Sequence, residues 1–330
     1  MPSRTPSVAP AALPELLGNR YRIERLLGVG GMGAVYQVRD LLREQFNDPR
    51  PSVALKALND QFAAHADANA LLYAEYALTC RLHHPNVIRP YSYHIDPASG
   101  RAFMTLELLE GPALDQIIAD HPDGMAWPAL QPLAVGLLSA LAYAHDAGVL
   151  HGDLKPGNII LSTAGLRLFD FGLGRGCRGP LQRLPRLSRR LAAWTPRYAA
   201  LELLDGEELT AAADLYAVAC VLYELASGHH PFSRLTARQA MRMQQETGLQ
   251  KPHGIPKPVW RELRTALAFD PAARISSVAA LLEAFRKGSK TGWPPAVRRR
   301  WQPAAGPPAA SDQSARSRLD AAMKAFFRSS

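Results

Sequence analysis

One stretch constrains this chain more than any other: His151-Gly152-Asp153-Leu154-Lys155-Pro156-Gly157-Asn158, with Asp170-Phe171-Gly172 following a dozen positions later. A carboxylate, an ammonium and an amide fall within six positions. A second carboxylate follows a short apolar run, residues 166–169, interrupted by Arg167. Phosphoryl transfer from a nucleotide needs such a set. One carboxylate orients an attacking hydroxyl and accepts its proton, a cation faces the transferring group, and an amide oxygen with a further carboxylate holds a divalent metal.

The first half of the chain adds a matching set. Residues 21–27 alternate polar and apolar and predict a strand. Gly28-Val29-Gly30-Gly31-Met32-Gly33 follows, and glycines let a backbone turn sharply and bring its N–H groups close to phosphate oxygens. Dinucleotide-binding folds share this spacing, but there the glycines open a helix. Here Ala34-Val35-Tyr36-Gln37-Val38 is β-rich, which favours a strand–turn–strand. Val53-Ala54-Leu55-Lys56 predicts another strand, with Ala54 and Lys56 on one face. Lys56 is the only lysine in the first 154 residues of a chain that otherwise chooses arginine. A compact ammonium is needed here and at Lys155. Residues 61–82 have helical spacing, with Glu75 the only acid in the second half. His83 and His84 end that helix as a loop, without metal-ligand spacing. Residues 101–109 predict the last strand of this half.

These motifs resemble those of the eukaryotic-like Ser/Thr protein kinases of bacteria, over about residues 21–287. The resemblance implies an α+β, two-lobed fold: a small antiparallel sheet with one main helix (21–109), then a larger helical lobe (110–287). It implies ATP as cofactor with Mg²⁺, or Mn²⁺, and protein substrates with Ser or Thr acceptors. Asp153, Lys155, Lys56 and Glu75 would be catalytic, with Glu75 positioning Lys56 against the α- and β-phosphates. Gly28, Gly30, Gly33, Val35, Ala54, Lys56, Glu107 and Leu109 would line the nucleotide site. Leu106 would guard the back of the pocket, and the backbone of 107–109 would meet the adenine. Asn158 and Asp170 would hold the metal.

The chain also departs from that pattern. Gly152 replaces an arginine that normally meets a phosphate on the activation loop, so loop phosphorylation is not expected to be the main on-switch. His151-Gly152-Asp153 also looks like small-molecule phosphotransferases of the aminoglycoside and choline kinase type. Lys155, the complete Asp170-Phe171-Gly172 and Thr195-Pro196-Arg197-Tyr198-Ala199-Ala200-Leu201-Glu202 favour a protein substrate, although Leu201 replaces a proline and Trp194 a glycine. A nucleotide-binding scaffold without transfer is the other alternative, but such scaffolds usually lack one of Lys56, Asp153, Asn158 or Asp170. Asp214 is expected to satisfy backbone N–H groups beside the catalytic loop, and Arg274 to pair with Glu202.

Composition sets the remaining bounds. Cys80, Cys177 and Cys220 lie far apart, which argues against structural zinc and a disulfide framework and suits a reducing cytosol. A cytoplasmic protein without a signal peptide or membrane partner is expected: the apolar segments 133–144 and 211–226 read as too short to span a bilayer. The net charge of +9 is concentrated. Residues 173–200 hold seven arginines and no acid, and more arginines follow Gly288. Aromatics do not interleave with them as a nucleic-acid stacking platform requires, so nucleic acid is not the expected partner. Cys177 stands in this electropositive stretch, with an inert thiol the expectation. Residues 1–20 read as a poorly ordered extension. Residues 288–330 read as a basic Pro/Ala-rich linker, with Leu319, Met323, Phe326 and Phe327 on one helical face.

Overall fold

The computed structural model describes residues 15–30, 33–59, 67–185 and 195–288. The small lobe is an antiparallel sheet of β1 (Leu16–Leu17), β2 (Tyr21–Val29), β3 (Gly33–Asp40), β4 (Ser52–Leu58), β5 (Pro90–Ile95) and β6 (Ala102–Leu106), in the order β1-β2-β3-β4-β6-β5. The short helix α1 (Leu41–Gln45) joins β3 to β4, and α2 (Ala68–Cys80) packs against β5 and β6. The sheet curls until its edges meet: Gly18 donates its N–H to Asp96 at 3.1 Å, and the Tyr21 hydroxyl reaches His94 at 3.3 Å.

Residues 15–20 therefore differ from the expected disordered extension. Leu17 is buried against the sheet, an arrangement that two residues carry no periodicity to announce. The helix expected over 61–82 is described from Ala68 to Cys80, and residues 60–66 lie outside the described set. The strand expected over 101–109 ends at Leu106, and 107–110 continues as an irregular connection to the second lobe.

The large lobe is mainly helical: α3 (Leu114–Asp120), α4 (Trp127–Asp146), α5 (Leu201–Leu204), α6 (Ala211–Ser227), α7 (Ala237–Arg242), α8 (Lys257–Ala266) and α9 (Val278–Lys287). Short strands β7 (Val149–Leu150), β8 (Ile159–Ser162), β9 (Gly165–Leu168) and β10 (Arg175–Gly176) carry the functional loops, with β8 paired to β9 and β7 to β10. Helix α6 is buried on nearly every face, as its unbroken apolar sequence dictates. Its N-cap Thr210 accepts the Ala213 N–H at 3.3 Å, and it ends at Gly228, whose φ of +80° favours glycine.

Helix α4 is longer than the apolar segment read from sequence. It has 20 residues and a mean hydropathy of 1.2, enough by length and composition to cross a membrane. Its stripe of Leu130, Leu133, Leu137, Leu138 and Leu141 is instead buried in the core of this lobe. Each such leucine contributes about 1.5–3 kcal/mol of burial.

Candidate active site

The site forms where β4, α2, the turn after β7 and the segment after β9 converge. On β4, Lys56 projects into a buried position where its Nζ donates to Glu75 Oε1 (2.7 Å) and Oε2 (2.8 Å) and to Asp170 Oδ1 (2.7 Å). Glu75 is carried by α2 and Asp170 by the segment after β9, so one ammonium joins three separate pieces of chain. Burial alone would lower the Lys56 pKa, but the two carboxylates overcome it and hold the amine charged. Burial, helped by repulsion from the Asp170 carboxylate, pushes Glu75 up to about 7 against the pull of Lys56. Asp170 resists burial through Lys56 and is held at about 2. Its φ of +66° is a left-handed conformation that aspartate tolerates better than most residues.

The catalytic-loop residues lie alongside. Asp153 Oδ2 meets Lys155 Nζ at 2.5 Å, and Oδ1 accepts the Thr195 N–H at 3.1 Å. Lys155 also donates to Thr195 Oγ1 at 3.0 Å. Asn158 donates its amide to the Asp153 carbonyl at 2.8 Å, and its own carbonyl accepts the N–H of Phe169, the neighbour of Asp170, at 3.1 Å. His151 reaches the Phe169 carbonyl at 3.0 Å and packs on Phe171 with ring centroids 4.6 Å apart. Both carboxylates, 153 and 170, are thereby tied to one loop pair.

Asp214 supports this loop from the start of α6. It accepts the N–H groups of His151 (2.8 Å) and Gly152 (2.9 Å) and meets His145 Nε2 at 2.9 Å. His145, absent from the sequence reading, is its third partner. These bonds outweigh burial and hold the Asp214 carboxyl below its ordinary value.

Above the cleft, Val35, Ala54, Leu106, Leu108, Leu109 and Phe169 belong to one apolar cluster, with Ala54 opposite Leu106 in the sheet. The Glu107 N–H is occupied by the Arg89 carbonyl at 2.9 Å. The glycines separate into two kinds. Among the described residues, a side chain at Gly28 would meet nothing within 4 Å, and one at Gly30 only the Gly33 carbonyl at 3.7 Å. At Gly33 a Cβ would lie 2.3 Å from the Ala57 carbonyl, so β4 itself requires that glycine.

Gly152 likewise has a local cause. Its φ is +84°, and an added Cβ would stand 2.5 Å from the Leu173 carbonyl. Gly152→Ala should therefore lower the melting temperature, with roughly 1–3 kcal/mol lost to backbone strain alone. An unchanged thermal melt would contradict this.

The wall after the loop is anchored at both ends. Leu201 takes the first position of α5, where a proline's missing N–H costs little, so leucine preserves the turn. Glu202 pairs with the buried Arg274 at 2.6 and 2.8 Å. Trp194 and Ser188 lie outside the described residues. Cys177 is half-buried against the core and donates its backbone N–H to Gly148 at 2.8 Å.

The protein kinase domain family matches residues 21–285. The chain belongs to the protein kinase family. Among bacterial relatives it is 30% identical over 278 residues to the serine/threonine-protein kinase PkaA of Streptomyces coelicolor, covering 79% of this chain and 48% of that one. It is 30% identical over 264 residues to the serine/threonine-protein kinase PknD of Mycobacterium tuberculosis, covering 78% and 38%. The chain thus spans half or less of these two relatives' lengths. The kinase domain of Mycobacterium tuberculosis PknI has a similar structure, with a TM-score of 0.59 at 25% identity over 87% of this chain and 99% of that one. The two-lobed kinase fold and the Ser/Thr kinase resemblance agree with these matches, and the family implies ATP and a divalent metal.

Proposed function

We propose that this kinase domain transfers the γ-phosphoryl group of ATP, bound with Mg²⁺, to serine or threonine hydroxyls of proteins, its own chain included. The reading rests on the Lys56 ammonium held between Glu75 and Asp170 at 2.7 Å each. Glu75 orients that ammonium toward the α- and β-phosphates. The metal fit is supported by donor chemistry: Asp170 Oδ2 and Asn158 Oδ1 accept no hydrogen bond from the described residues and are hard oxygens, as Mg²⁺ prefers. When bound, the ion neutralises phosphate charge. Asp153 accepts the hydroxyl proton as that oxygen bonds to phosphorus and the bond to ADP breaks. Lys155, braced by Asp153 and Thr195, offsets charge on the transferring group. The backbone of 107–109, beside the apolar cluster of Val35, Ala54, Leu106 and Leu109, would receive the adenine.

The anchored segment 195–202 beside Asp153 supports a polypeptide acceptor over a small molecule. Separate thiols, free among the described residues, support a cytoplasmic location. The test is incubation with labelled ATP and Mg²⁺, with a generic basic protein or a panel of aminoglycosides. Label in protein, lost on chelation, is expected. Label confined to aminoglycosides would move the chain to the small-molecule class, and nucleotide binding without transfer would make it a scaffold.

Ser188 stands among Arg186, Arg189 and Arg190, which would neutralise a phosphate there. With glycine at 152, Ser188→Ala should leave activity near wild type in the same assay. A large loss would show loop control by another route.

A further inference from the structure

Arg167 is the one charged residue in the apolar run leading to Asp170, and the transfer chemistry does not use it. Strand β9 buries Leu166 and Leu168, and the two-residue alternation turns Arg167 to the opposite face. There its Nε lies 3.5 Å from Glu107 Oε1, with both side chains mostly buried. Its Nη1 also reaches the Leu166 carbonyl at 3.2 Å and the Ala164 carbonyl at 3.4 Å.

The same Glu107 oxygen accepts the Arg89 N–H at 2.9 Å, while the Glu107 N–H donates to the Arg89 carbonyl at 2.9 Å. This carboxylate therefore joins the start of β5, the connection between the lobes and the strand before Asp170. A backbone ladder runs beside it: Leu168 donates to Asn86 at 2.8 Å, and Ile88 donates to Leu168 at 2.9 Å.

We propose that Arg167 is a positioning residue for the nucleotide: by holding the Glu107 carboxylate, it presets the backbone of 107–109 that receives the adenine. This rests on the nucleotide-binding reading above. A preset backbone makes its contacts without an ordering cost at binding, which is the general origin of affinity by preorganisation. The effect acts on the adenine end and not on the phosphates.

The test is titration of the full chain with ATP–Mg²⁺ and, separately, with adenosine, which has no phosphates. Arg167→Gln and Glu107→Gln should each weaken both ligands by a similar factor, roughly three- to tenfold. The double variant should be no worse than either single one, and Arg167→Lys should recover part of the loss. Glu107→Gln keeps the side-chain shape and carries the test if Arg167→Gln folds poorly. Variants that bind both ligands as wild type does, losses confined to ATP, or additive losses in the double variant would each overturn the proposal. A wild-type chain that binds neither ligand would instead remove the nucleotide reading itself.

Discussion

Asp153→Asn should reduce phosphoryl transfer by about 10²–10⁴-fold, the range lost with a positioned general base. The amide cannot accept the hydroxyl proton, yet its oxygen can still accept the Thr195 N–H that the carboxylate accepts at 3.1 Å. The fold should survive, because the supports of this loop lie elsewhere: Asp214 holds the N–H groups at 151 and 152, and Asn158 holds the Asp153 carbonyl. ATP binding should also persist, since Lys56, Glu75 and Asp170 are untouched. Single-turnover transfer measured beside circular dichroism separates the cases. Near-normal turnover in a folded Asp153→Asn protein would remove Asp153 from the chemistry.

The second large effect is on stability. Arg274 is fully buried at its side chain and makes five hydrogen bonds: two to Glu202 and three to the carbonyls of Ala268, Ala212 and Phe269. Arg274→Ala leaves the Glu202 carboxylate buried without its cation and empties three carbonyls of their donor. Breaking a buried pair from one side costs about 3–5 kcal/mol. For a domain of this size that lowers the melting temperature by on the order of 10 °C. Activity should fall as well, because Glu202 ends the segment whose other end, Thr195, touches Asp153 and Lys155. A melting temperature within about 2 °C of wild type would show that the pair contributes little to stability.

Much of the site was legible because its residues lie in short, chemically unusual runs. Lys56 stood out as a lone lysine in an apolar strand, and Glu75 as a lone acid on a helix half. The structure places both on the same ammonium–carboxylate contact as Asp170. Asp214 was legible for a similar reason: a carboxylate in a buried helix needs donors, and a neighbouring loop has them. His145 was not, because it sits on an otherwise ordinary helix 69 positions from Asp214, and nothing local marks the contact. Strand β5 was missed because its six residues are only half-buried and carry no clean alternation. Strand β1 is too short to show any.

Glycines show the division most clearly. Sequence could say only that glycines at 28, 30 and 33 permit close approach to something. The structure separates Gly33, which makes room for the Ala57 carbonyl, from Gly28 and Gly30, which no atom of the described residues crowds. Gly152 first read as the loss of an arginine, and in the fold it is a left-handed position against the Leu173 carbonyl.

By itself, then, the sequence determined the family, the two-lobed architecture and the identities of the acids, lysines and amide in the cleft. The family and the architecture came through the resemblance that these short motifs carry, and the strands and helices around them from local periodicity, which a linear chain displays directly. Tertiary structure alone decided the partners that no motif announces: that Asp170 joins Glu75 on the Lys56 ammonium, that Asp214 meets His145, and that Arg167 reaches Glu107. Such pairings depend on angles between elements far apart in the chain, and those angles are set by the packing of whole faces and not by any short run of residues.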